Sequence, residues 1–184
     1  MIHIHTTKKL YKKFGLDEDG CLKQFTGEPM YPEKAVDINP LRDWHANSLT
    51  IQLCNCVMLV HDQTRFTVFI PCLVKKNFDH FQREFEYAFM NTLLKCGAND
   101  QQMGMAHSLL ERIVIDTDCN RSVQGTQNQM IQTIQHLIYY DDIDITEITG
   151  HWVGAHLADT PCTVKGRKET LWPKRDMLAL LSLK

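Results

Sequence analysis

"LTIQLCNCVMLVHDQTRFTVFIPCL", residues 49–73, decides the fold. Three apolar runs rich in β-branched and aromatic residues, 49–54, 56–62 and 65–73, follow one another with short polar breaks, and "DQT" at 62–64 is turn chemistry. The spacing predicts an antiparallel meander. The middle run, "CVMLV", barely alternates, which predicts a strand covered on both faces.

Downstream the apolar period changes from two to about 3.6. "NFDHFQREFEYAFMNTLLKCG" (77–97) sets Phe78, Phe81, Phe85, Phe89, Leu93 and Leu94 on one helical stripe, with Gly97 as a stop signal. A second helix is expected over 100–112, running into a short strand at "RIVIDT". A third is expected over about 120–140, its stripe being Val123, Met130, Ile131, Ile134 and Ile138. Residues 145–159 read equally as a short helix or as irregular chain. Upstream, "IHIHT" (2–6) alternates as a strand does, and "TKKLYKKF" makes a turn or two of helix. Residues 15–43 have no period and read as a long surface loop. After Pro173 comes a short amphipathic helix.

The class is therefore α+β: an antiparallel β-meander packed against about three helices. The expectation is one domain over 1–159, with 160–184 a basic C-terminal tail peripheral to it. Phe81, Phe85, Phe89, Val57, Leu59, Val68, Val123, Met130 and Ile134 are expected to share one core.

A chain of 184 residues suffices for one domain with a proper core. No apolar run approaches the roughly 20 residues of a membrane span, and "MIHIHTTKKLYKKF" lacks the apolar region of a secretory signal. The expectation is a cytoplasmic protein that does not enter the membrane. Seven scattered cysteines without C-x-x-C argue against a disulfide framework or zinc ribbon. The net charge of −2 conceals basic ends: residues 1–15 and 160–184 each carry a surplus of +4 over an acidic body. These ends are either solvated faces or docking surfaces for something anionic.

"DTDCNRSVQGTQNQM" (116–130) raises a local question. With Asn120 as the cap, Arg121 falls in the first turn, where the helix dipole favours anions, and Gly125 falls inside the helix at a cost of about 1 kcal/mol relative to alanine. Arg121, Gly125, Asn128 and Gln132 share one face. Two arrangements relieve the conflict: an anion held by Arg121, Ser122 and the helix amides, or an ion pair between Arg121 and an internal acid. The glycine suggests that a ligand or a chain segment approaches the backbone, and a loop around Trp44 is the expected neighbour. A second polar cluster, "RDWHANSL" (42–49), supplies Trp44, His45 and Asn47 at the entrance to the meander, and Arg65 starts the strand two places along. These residues either staple a loop or form a site.

"MIHIHTTKKL", "WHANSLTIQLCNCVMLVHDQTRFTVFIP" and "NRSVQGTQN" together resemble domain-of-unknown-function family 6933, a prokaryotic family, over roughly residues 1–140. The long 15–43 loop and the basic tail depart from it. The resemblance brings no established reaction. It implies a shared fold and a shared polar site, and so one constellation of Trp44, His45, Asn47, Arg65, Arg121, Ser122, Gly125 and Asn128.

Other chemistry is thinner. His3 and His5 have the H-x-H spacing of metal ligands, but two ligands are not a site, and no metal or other cofactor is expected. Cys119 stands before a helix N-terminus, where a thiolate would be stabilised, with His45 as a conceivable base. No G-x-G-x-x-G, P-loop or G-x-S-x-G occurs. The leading expectation is a small binding module for a protein partner, with an anionic ligand or nucleic acid reached through Arg121 or the basic ends. The kind of family suggests an accessory role in a mobile element, toxin–antitoxin or defence system. The alternative is an enzyme acting on a phosphate-bearing substrate, with Arg121 holding the anion, His45 as general acid or base, and Asn47 and Asn128 orienting the substrate.

Overall fold

The computed structural model describes residues 1–23, 39–164 and 169–182. Its centre is a five-stranded sheet in the order β4-β3-β2-β1-β5. β2 (Asp43–Ile51), β3 (Cys54–His61) and β4 (Thr67–Ile70) are the antiparallel meander. β1 (Ile2–Thr6) lies between β2 and β5 (Ile113–Asp116) and is parallel to both, so the sheet is mixed and not a simple meander. The W-H-A-N residues, expected to precede the first meander strand, lie inside β2.

Two apolar layers cover the sheet, where the sequence had suggested one core. Alternation along the strands divides them. Ile2, Ile4, Trp44, Ala46, Val57, Leu59 and Val68 face α1 (Lys8–Tyr11), α2 (Phe81–Lys95) and α3 (Asp100–Leu109), with Leu10, Phe81, Phe85, Phe89 and Ala106 opposite. Leu49, Ile51, Cys56, Met58, Val60 and Phe69 face Val123, Met130, Ile134 and Ile138 of α4 (Arg121–Tyr140). β3 is buried on both faces from Cys56 onward, which is why "CVMLV" does not alternate.

The ambiguous 145–159 stretch contains α5 (Gly150–Ala158), which covers the outer edge of β4. Two glycines one turn apart permit the approach. A Cβ at Gly154 would stand 2.8 Å from Thr92 Cγ2 and 3.0 Å from the Thr67 carbonyl oxygen. At Gly150 it would overlap the Phe69 carbonyl oxygen and stand 3.1 Å from Pro71 Cδ. Because the obstacle at Gly150 is backbone, Gly150→Ala should lower stability by about 1–3 kcal/mol in a urea titration. A loss below about 0.5 kcal/mol would mean that the helix does not seat on this strand.

The C-terminal segment corrects the expectation of a peripheral tail. Cys162 and Leu171 exchange two backbone hydrogen bonds of 2.9 Å in an antiparallel bridge, and α6 (Pro173–Leu180) buries Met177, Leu180 and the following Leu181 in the α2 layer. Residues 24–38, most of the expected 15–43 loop, and Lys165, Arg167, Lys168 and Lys184 of the basic tail lie outside the described residues.

His61 is buried, with its ring centroid 5.0 Å from that of Trp44. Its Nε2–H donates to the Pro40 carbonyl at 3.0 Å, and Nδ1 accepts from the Thr64 hydroxyl at 2.9 Å. Burial lowers its pKa from 6.5 to about 4. As pH falls below 6.5 the unfolded chain takes up this proton before the folded one. The associated stability is thus present above 6.5 and lost as pH falls toward 4, by up to about 3 kcal/mol. Urea midpoints at pH 7 and 4.5 should show a smaller acid loss in His61→Gln than in the wild type, and equal losses would contradict the assignment.

Candidate functional site

The N-terminus of α4 is the meeting point of the polar residues. Asn120 caps the helix, its side-chain oxygen accepting the Ser122 N–H at 2.8 Å. The Asn120 N–H donates to His45 Nε2 at 2.6 Å, and the His45 Nδ1–H donates to Asp62 Oδ1 at 2.7 Å. A backbone N–H can only donate, so the His45 tautomer follows from the geometry. Both ring nitrogens are engaged and the side chain is buried.

Arg65 completes the clamp. It sits in the turn between β3 and β4 at φ 62°, a left-handed conformation unusual for a long side chain. One guanidinium nitrogen donates to the Asp62 carbonyl and the other to Ser122 Oγ at 3.3 Å. Deeper in the helix, the buried Gln127 donates to the carbonyls of His45 (3.2 Å) and Met58 (2.9 Å). His45, Arg65 and Ser122 therefore converge through Asp62 and Asn120, fastening α4 to the sheet.

The other five residues are distributed differently. Trp44 points to the opposite face of the sheet. It is buried against Phe85 and Phe89, and its indole N–H donates to the Leu41 carbonyl at 2.7 Å. Asn47 Oδ1 accepts the Thr7 hydroxyl at 3.2 Å and ties β2 to the end of β1. Arg121, Gly125 and Asn128 are exposed. Arg121, Ser122 and Gly125 line an open groove of about 480 Å³ together with Thr126, Gln129, Thr163 and Val164. His45, Arg65 and Asn128 are not among its lining residues, so the eight do not form one pocket.

Two expectations about this helix change. Among the described residues, Arg121 pairs with no carboxylate, so the internal ion pair is not the arrangement found. A Cβ at Gly125 would meet nothing within 4 Å, so no Trp44 loop is stacked there.

Further polar residues stand where β1, β2 and β5 run parallel. His5 Nδ1 lies 2.7 Å from Asp116 Oδ1, and its Nε2 lies 3.8 Å from Asp43 Oδ1. The His5 and His45 rings are 5.0 Å apart. Burial, and secondarily Arg42, lower the pKa of His3. Among the described residues no group of three or more His, Cys, Asp and Glu is set to hold a metal. Cys119 lies 3.3 Å from the Thr6 carbonyl, and burial raises its pKa, with Asp116, Asp118 and Asp62 adding to the effect. This is the reverse of the activated thiolate that its place before the helix suggested.

Sequence reasoning missed Asp62, Asp116, His5 and Gln127 as partners in this network. The turn "HDQTR" held a signal for the first, an acid three residues before Arg65. Gln127 was legible only as a polar residue four positions after Val123, on the buried stripe.

The fold and site thus define a mixed-sheet α+β domain with a polar clamp at one helix start and an open groove beside it. The model of the family described as Domain of unknown function (DUF6933) matches residues 3–176, and the chain belongs to that family. The match takes in both the 15–43 segment and most of the C-terminal segment, where the motifs alone had suggested departures. No curated protein and no solved structure matches the chain. Among the described residues no helix is long and apolar enough to cross a membrane.

Proposed function

We propose that this domain is a binding module whose groove along the first turns of α4 receives an acidic segment of a protein partner. The observation that carries this reading is Arg121: exposed, paired with no carboxylate among the described residues, and set beside an open groove. The anion is held by the Arg121 guanidinium and the Ser122 hydroxyl. The Ser122 amide is already taken by Asn120, so the helix end contributes less than the free amides of an uncapped helix would. His45 serves as a structural clamp here, because acid–base work on a substrate would require it to surrender the Asn120 bond. The enzyme reading with His45 as general acid or base is the weaker one on this geometry. The setting we propose is the cytoplasm of a prokaryote, as an accessory protein of the mobile-element or defence kind.

A fluorescent glutamate-rich peptide and a single-stranded oligonucleotide of similar charge are suitable probes. The peptide should bind, weaken with salt, and lose about tenfold or more in affinity with Arg121→Ala, a charge-assisted bond being worth roughly 1.5–3 kcal/mol. Equal binding by the Arg121→Ala protein would remove the groove from consideration. Tighter binding of the oligonucleotide would favour a nucleic-acid partner.

Gly125→Ala separates groove from staple. With open space around the position, the free protein should gain up to about 1 kcal/mol from helix propensity. If the groove is used, peptide binding should weaken at the same time. A destabilised variant would mean that a chain segment does contact the helix at this point.

A further inference from the structure

The far end of the meander gathers three cysteines that play no part in the α4 clamp. Cys54 opens β3, Cys56 follows two residues on, and Cys72 lies just beyond β4. The register pairs Val57 with Ile70, and extending it would set Cys72 opposite Asn55, on the face away from Cys54 and Cys56. Cys72 instead adopts φ 52° and packs with Cys54 against the α4 layer. A left-handed conformation is unfavourable in a residue with a Cβ, and such strain is informative where it brings reactive groups together. Here it turns the Cys72 side chain onto the face of the meander that carries Cys54 and Cys56, one strand position from each along the extended register. Cys56 is wholly buried, whereas Cys54 and Cys72 are both partly exposed.

We propose that Cys54 and Cys72 are a reversible oxidation site, forming a disulfide with hydrogen peroxide or a small-molecule disulfide as oxidant. With peroxide, the Cys54 sulfur attacks one oxygen, the O–O bond breaks, and water leaves a sulfenic acid on Cys54. The Cys72 sulfur then attacks the Cys54 sulfur. The S–S bond forms, the S–O bond breaks, and the hydroxyl departs with the Cys72 proton as a second water. Two thiols lose two hydrogens in all, and one peroxide becomes two waters. Burial, with the neighbouring Cys54, raises the pKa of Cys72 to about 11, so Cys72 enters the second step as a thiol and its proton leaves with the hydroxyl. Cys72 also lies 3.9 Å from the Ile145 carbonyl, in the segment leading to α5 that Gln52 grips at Ile143 and Ile145. The link therefore forms at a junction between the meander and that segment.

The reduced full-length protein should be treated with hydrogen peroxide and, separately, equilibrated in glutathione buffers of graded oxidation. Thiols titrated after denaturation should fall by two from the seven present. Peptide mapping should find residues 54 and 72 linked, and dithiothreitol should reverse both changes. Cys54→Ser and Cys72→Ser should each abolish the link, while Cys56→Ser should retain it, with a folded far-ultraviolet spectrum verified for each. Retention of all seven thiols in the oxidising buffers would overturn the proposal. So would a link between other cysteines, or oxidation of Cys54 to sulfinic acid without a link.

Discussion

Deleting residues 173–184 will leave the chain without a stable fold. The removed segment carries Met177, Leu180 and Leu181, which are buried against the α2 layer. At roughly 1.5–3 kcal/mol for each fully buried side chain, the three together lose about 4.5–9 kcal/mol. That is comparable with the whole stability of a typical domain, roughly 5–15 kcal/mol. The segment is also tied to α3, because Gln102 donates to the Leu178 carbonyl at 2.9 Å and to Ser182 Oγ at 3.0 Å. Circular dichroism should show no cooperative thermal transition in the truncated chain, and a hydrophobic dye should bind it. A midpoint within a few degrees of the full chain would return α6 to the status of an appendage.

Phe85→Ala is the second large effect. Phe85 is fully buried, stacked on Phe89 with ring centroids 6.0 Å apart, and meets Trp44 edge-on at 5.2 Å. Its removal opens a cavity against the central strand β2, whose neighbours on both sides are fixed by hydrogen bonds and cannot collapse inward. The expected cost is about 3–5 kcal/mol, read from the denaturant midpoint at constant slope. A loss below about 1 kcal/mol would contradict the packing of α2 on the sheet.

Much of this arrangement was legible because it is periodic. The stripe Phe81, Phe85, Phe89 placed α2, and the unbroken "CVMLV" announced a strand buried on both faces. The position of β1 was not legible. "IHIHT" shows a strand but not its neighbours, and parallel pairing on both sides is a long-range choice that no local pattern records. The two-layer core escaped for the same reason, since Val123 and Phe85 look alike until the sheet between them is known. The short apolar segment after Pro173 was read as a helix correctly, but the basic residues before it masked the layer it joins. In the polar region, composition picked out His45, Arg65 and Ser122, which do meet. It also picked out Trp44, whose place in β2 turns it one residue out of phase and onto the opposite face. Asp62, the hub of the clamp, is a plain turn residue in sequence, and only the hairpin's closure sets it between His45 and Arg65.

The seating of α5 on β4 has a counterpart across the sheet. At the other rim, Ile115 donates to the Gly20 carbonyl at 2.9 Å and Cys21 bridges Val114, so the 20–21 segment lies along β5. Both outermost strands are thus shielded along the stretches described. Strand-to-strand addition, the route by which bare edges recruit extended peptides or neighbouring copies, is obstructed at either rim. On the binding reading proposed above, the contacts would fall instead to side chains on helical faces, and among the described residues neither outermost strand offers neighbouring copies an open template for fibrous self-association.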